Sequence, residues 1–138
     1  MEMLRDNMNL TMDAGKIKSF VQGTLGCGCP EEVFRHIECE AQTHAQGIPL
    51  RYRVTIGRRL LIYIVQPDDM ESLERTITGS IAAGRKERDS AGLNRFRLVL
   101  VATDSAEWRD LAERIFNAAK PDEKVHLHVL SAGAIPHF

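Results

Sequence analysis

Residues 51–66 read RYRVTIGRRLLIYIVQ, and this stretch decides the fold. In its first half Tyr52, Val54 and Ile56 alternate with Arg51, Arg53 and Thr55, the period of a strand covered on one face. Gly57-Arg58 supplies a tight turn. Leu60 to Val65 is then apolar at every position, as a strand covered on both faces requires, so a hairpin with a central second strand is expected. Pro67-Asp68-Asp69 halts it. Asp68, with Glu71 three positions on, makes a capping-box-like start for a long helix whose stripe is Met70, Leu73, Ile77 and Ile81, ending within Gly84 to Gly92. Phe96 to Ala102 repeats the doubly covered pattern in Leu98-Val99-Leu100-Val101. Thr103-Asp104-Ser105 caps a helix running to about Ala119, with Trp108, Leu111, Ala112, Ile115 and Phe116 inward, and a last strand spans Val125 to Leu130.

Upstream, Ile17, Phe20, Val21 and Leu25 recur at helical spacing between Asp13 as cap and Gly26 as stop. Cys29 at an N-cap, Pro30 at the first helical position and Glu31 and Glu32 in the first turn then predict a second helix. Its stripe is Val33, Phe34, Ile37 and Ala41, and Gln46, Gly47, Ile48 and Pro49 end it. The order αα followed by ββαβαβ implies an α/β protein: a mixed, mostly parallel four-stranded sheet in a three-layer sandwich, with the helical pair on the face opposite the crossover helices. The expected organisation is one domain over 1–138, with an arm at 1–11, the helical pair at 12–45, the hairpin and sheet at 50–130, and a tail at 131–138.

Of the 138 residues, 43% are apolar and 27% charged, the balance of a globular chain. No apolar run approaches the roughly 18 residues of a membrane span, and the opening MEMLRDNMNL is too polar for a signal peptide. A cytoplasmic location without membrane partners is expected, and the three cysteines fit a reducing compartment. A net charge of −1 gives the whole chain no nucleic-acid footprint. Charge is uneven, however: residues 51–97 carry a local balance of +4. The basic hairpin edge beside Arg95 and Arg97 is suited to an anion, to a nucleic-acid backbone or to the acidic N-terminal half of a second copy, while arginine on an edge strand also guards against strand pairing. Self-association is expected.

The segment Gly26-Cys27-Gly28-Cys29 is the most specific chemical feature. A thiolate at a helix N-terminus is stabilised by free N–H groups, so Cys29 is the expected principal thiolate and Cys27 its partner, for Zn or Fe–S binding or for redox exchange. Glu31 and Glu32 partly offset that effect. The Cys-Gly-Cys tripeptide resembles the one near the C-terminus of A-type iron–sulfur carrier proteins, but no cysteine precedes it and that family's β-rich layout is absent. His36 and Cys39 lie about 10 and 15 Å along the expected helix from Cys29, too far to share a metal. His126 and His128 share one face of a strand and are candidate metal ligands or an acid–base pair, though alternation on an edge strand explains them equally. At the carboxyl ends of the parallel strands, Asp68, Asp69, Asp104, Ser105 and Ser131 outline a crevice for a divalent ion or an anion, and helix capping accounts for Asp68 and Asp104 as well. The competing reading is an interaction or homo-oligomerising module with packing cysteines.

Overall fold

The computed structural model describes residues 13–102 and 106–138. Helix α1 (Ala14–Ser19) continues as a π turn at Phe20–Thr24, and a 3-10 turn follows at Glu31–Arg35. Then come β1 (Ile37–Ala45), β2 (Ile48–Ile56), β3 (Leu60–Val65), helix α2 (Met70–Ala91), β4 (Arg95–Ala102), helix α3 (Ala106–Ala118) and β5 (Val125–Ser131). The five strands lie side by side in sequence order. β1, β2 and β3 form an antiparallel meander, while β3, β4 and β5 run parallel. The apolar run of β3 thus sits at the centre of the sheet and is buried throughout.

Two right-handed crossovers in one direction put α2 and α3 on the same face. There Leu73, Ile77, Ile81, Trp108 and Ala112 pack on Leu61, Tyr63, Phe96, Leu98 and Leu100. The opposite face, with Tyr52, Val54, Ile56, Ile62, Ile64, Val99 and Val101, is covered by Ile17, Phe20, Val21 and Leu25 and by the C-terminal Ile135 and Phe138. The Phe138 ring lies 5.6 Å from Phe20 and 4.9 Å from Tyr52 between centroids. The α/β class and the two covered faces match expectation.

Two expectations change. The sheet has five strands rather than four, and two of its four pairings are antiparallel rather than the sheet being mostly parallel, because residues 37–45 form β1 rather than the second half of a helix. Ile37, Cys39 and their acidic neighbours Glu38 and Glu40 also obey a period of two, and the tertiary contact decides between the periods. Gln46 and Gly47, at φ 51° and 83°, form the two-residue turn that sets Ala45 against Ile48. In that register Ile37 and Cys39 are buried on the sheet face, and Ala41, which a helical stripe would have buried, is exposed. Second, Asp69 rather than Asp68 caps α2, its Oδ1 accepting from the Ser72 amide at 2.9 Å. The chain stays extended for one residue more, so Glu71 does not close a capping box and Met70 is 39% exposed. The end of α2 falls within Gly84 to Gly92 as expected: the helix runs through Gly84 to Ala91 and stops on Gly92 in the left-handed conformation.

Running through Gly84 has a packing reason, since a Cβ there would fall within the ring of Phe96, which is fully buried. In an unhindered helix Gly→Ala gains up to about 1 kcal/mol. Here overpacking wins, and Gly84→Ala is expected to destabilise the fold by about 1–3 kcal/mol in chemical denaturation.

A buried ion pair fastens the far end of α2. Arg88 donates from Nη1 and Nη2 to both Asp122 oxygens at 3.0 and 2.9 Å. That fork lowers the Asp122 carboxyl to about 2, with the Lys124 amide and nearby Arg85 acting in the same direction. A carboxyl with a depressed folded pKa gives stability that is complete above its unfolded value near 3.9 and lost as pH falls toward the folded one. Asp122→Asn should therefore flatten the loss of stability between about pH 4 and pH 2, read from urea midpoints across that range.

Candidate functional site

The loop between α1 and the 3-10 turn carries Cys27 and Cys29. Gly26 at φ 69° turns it, and the Cys27 amide donates to the Val21 carbonyl at 3.0 Å. The two sulfurs stand at disulfide distance with Cα atoms 5.4 Å apart, inside the span a disulfide bridges. Both residues are half-buried. The expected α-helix at Pro30 is instead five residues of 3-10 turn with Pro30 as its N-cap. The helix-terminus field assigned to Cys29 from sequence is therefore absent.

A different source of positive charge stands beside the pair. A cleft of about 470 Å³ is lined by Gly26, Cys27, Gly28 and Cys29 on one wall and by Arg59, Asn94, Arg95 and Arg97 on the other. The second wall is built where the turn entering β3 meets the start of β4. The Arg59 carbonyl accepts from the amides of Asn94 and Arg95 at 2.8 and 2.9 Å, and Leu60 and Arg95 are partners across the parallel pair. Among the described residues no carboxylate lines this cleft. Glu31 and Glu32 face a separate depression beside α1, where Glu31 pairs with Lys18. The other arginines of the basic segment are largely consumed within the fold: Arg53 pairs with Glu40 and Glu87, Arg85 and Arg88 with Asp122, and Arg51 with Gln66.

Arg97 joins the cysteine loop to the sheet. Its Nη1 donates to the Leu25 carbonyl at 3.0 Å and lies 2.8 Å from His128 Nε2. A guanidinium cannot accept, so His128 Nε2 accepts and the ring is the neutral Nδ1–H tautomer. Burial, Arg97 and His126 together push the His128 pKa down to about 4. His126 is lowered by burial and by Arg97 and Arg95, and among the described residues its buried Nε2 has no partner, nor has Nε of Arg97. The two histidines share a strand face, as expected from their spacing. Their neighbour, though, is a cation, an environment that opposes a metal ion.

The candidate metal set does not assemble. Among the described residues no group of three or more His, Cys, Asp or Glu side chains is placed to hold a metal ion. Cys27 and Cys29 offer two sulfur donors, so a tetrahedral zinc or cluster site needs donors from a second copy. Cys39, the third cysteine, is buried in the sheet core, where desolvation and Glu40 push its thiol up to about 11 and leave it inert. The strand-end crevice lies at the opposite end of the sheet, about 20 Å away at about 3.3 Å per strand residue. Asp68 is exposed there, Asp69 is occupied as a helix cap, and Ser131 precedes a 3-10 turn without a side-chain bond. Asp104 and Ser105 lie outside the described residues. Sequence reading missed Arg59 and Asn94 as neighbours of the cysteines; pairing the starts of β3 and β4 was the signal that would have found them.

No protein-family model, curated protein or solved structure matches this chain. Among the described residues no helix is long and apolar enough to cross a membrane.

Because His128 is neutral in the fold and protonates readily once unfolded, its contribution to stability is complete above about pH 6.5 and lost as pH falls toward 4. Arg97→Met keeps the aliphatic stem and removes the cation. The His128 pKa should then rise while staying below 6.5, because burial, the larger cause, remains. An NMR titration of the His128 ring in wild type and variant reads the shift, and an unchanged midpoint would remove Arg97 from this account.

Proposed function

We propose that the chain is a thiol–disulfide exchange protein whose Cys27–Cys29 pair alternates between disulfide and dithiol. The observation that carries this reading is the pair itself, at disulfide distance and half-buried on the wall of an arginine-lined cleft that, among the described residues, has no carboxylate. Spacing supports it further. A bridge closing three residues constrains the unfolded chain by only about 1.6 kcal/mol on the chain-entropy relation, against about 3 kcal/mol for a 15-residue loop. Such a bridge adds little to the fold and is free to open.

In the exchange, a thiolate of a reducing partner attacks one protein sulfur, the Cys27–Cys29 bond breaks, and a mixed disulfide forms as the second protein sulfur leaves as thiolate. A second partner thiolate attacks the partner sulfur of that mixed bond. The partner leaves as its disulfide, two electrons have passed to the protein, and the two partner protons end on Cys27 and Cys29. The arginines favour both the incoming and the departing thiolate. The same reaction run backward oxidises a dithiol. Zinc or cluster binding by this pair, the alternative use of the same sulfurs, would need the dithiol form and donors from a second copy.

Millimolar thiol should reduce the folded protein to expose two alkylatable thiols, with a potential above the roughly −300 mV that marks structural disulfides. Alkylation of the reduced pair should reach half its plateau rate below about pH 8.5, the value of a free thiol. Cys27→Ser/Cys29→Ser should stay folded, lose about 1–2 kcal/mol at most, and lose all exchange. A bridge that yields to thiol only on unfolding would sink the proposal and return the cysteines to a packing role in an interaction module.

A further inference from the structure

The cleft also bears on what the pair exchanges with. We infer that it selects a small thiol carrying a carboxylate, with the carboxylate held by Arg59 and Arg95 while the sulfur reaches the cysteine pair; this rests on the exchange reading above. Arg59 and Arg95 are both exposed, and among the described residues neither pairs with a carboxylate. The backbone bonds from Asn94 and Arg95 to the Arg59 carbonyl hold the two residues side by side. Both side chains line the same wall of the cleft, and an anion bound between two like charges offsets their mutual repulsion. Arg97 adds a third positive charge at the same wall and brings a buried Nε that has no partner among the described residues. Its neighbours His126 and His128 are held toward the neutral form, and among the described residues the lining of the cleft includes no carboxylate to compete for these cations.

The cleft volume of about 470 Å³ falls in the range of small-molecule sites. Asn94 adds an amide that donates to or accepts from a polar ligand group. An anion docked on the second wall faces the cysteine loop across the cleft, which raises the effective concentration of its thiolate at the disulfide. The attacking thiolate forms the mixed disulfide as one cysteine leaves, and a second molecule of the same thiol completes the exchange. The small thiol ends as its symmetric disulfide and the protein as the dithiol.

The test uses the oxidised full chain and three probe thiols of similar size: mercaptopropionate, mercaptoethanol and cysteamine, which are anionic, neutral and cationic. Each reduction rate is divided by the rate of the same thiol on a small neutral disulfide, which removes differences in intrinsic nucleophilicity. The expected order is anion, neutral, cation, with a spread on the order of tenfold at low salt that shrinks when the Debye length falls to about 3 Å at high salt. In Arg59→Glu/Arg95→Glu, which changes two exposed side chains, all three rates should fall because the incoming and departing thiolates lose their cations, while the ratio of the anionic to the cationic probe, which that shared loss leaves untouched, should reverse. Equal normalised rates, or an order unchanged in the double variant, would overturn the inference while leaving the exchange reading in place. Failure of all three thiols to reduce the folded protein would overturn both.

Discussion

The guanidinium of Arg97 is the contact on which the site depends. It projects from β4 toward the face covered by the N-terminal segment and donates at 3.0 Å to the carbonyl of Leu25, two residues before Cys27. Leu25 is itself buried in the core that α1 shares with the sheet. One hydrogen bond to a charged donor, worth about 1.5–3 kcal/mol where it is well shielded, thus sets the height of the cysteine loop above the strands. The same group adds to burial in keeping His128 neutral. Packing, loop position and the charge state of the strand face are coupled through one side chain, and no substitution there leaves the other two unchanged.

The two faces of the sheet divide the labour. The helical face carries a continuous apolar layer, closed by Gly84 against Phe96 and by the Arg88–Asp122 fork, together with a polar chain in which Tyr63 donates to Glu87 and Glu87 receives Arg53. Burial and the Glu87 carboxylate raise the Tyr63 phenol, so it stays neutral and serves as a donor inside the core. The opposite face is assembled from the two ends of the chain, with Phe138 lying against Phe20 and Tyr52. A face built from short segments has less secondary structure of its own, and that is where the glycine-flanked cysteine loop is accommodated.

Much of the fold was legible because the parallel strands announce themselves. A run such as Leu60–Val65 has no polar face and fits only the middle of a covered sheet, and the tight turn read at Gly57-Arg58 forms within a three-residue connection, with both residues at positive φ and the Arg59 amide donating to the Ile56 carbonyl. Residues 37–45 were not legible in the same way. Their alternation and a helical stripe shared Ile37 and Ala41, and only the neighbouring strand β2 decides between them. That error moved the presumed origin of thiolate stabilisation onto a helix terminus that does not form. The cysteines themselves were visible as chemistry, because two of them flank a single glycine. Their cationic wall was not, since Arg59 and Arg95 are 36 residues apart in sequence and meet only through the pairing of β3 with β4.

The position of the cleft follows from the polarity of the crossovers. In an open parallel sheet, ligands ordinarily sit beyond the carboxyl ends of the strands, where helix N-termini present positive partial charge. The cysteine cleft occupies the amino end. There the crossover helices present their C-termini, with about half a negative charge each, and α2 ends at Gly92, three residues before Arg95. Cations are the side chains that such an end favours. A cluster of guanidinium groups that would be costly elsewhere is stabilised here by the helix that leads into it. Once the cluster is held by the fold, its remaining field is directed at whatever the cleft admits, and the group standing opposite is the cysteine pair.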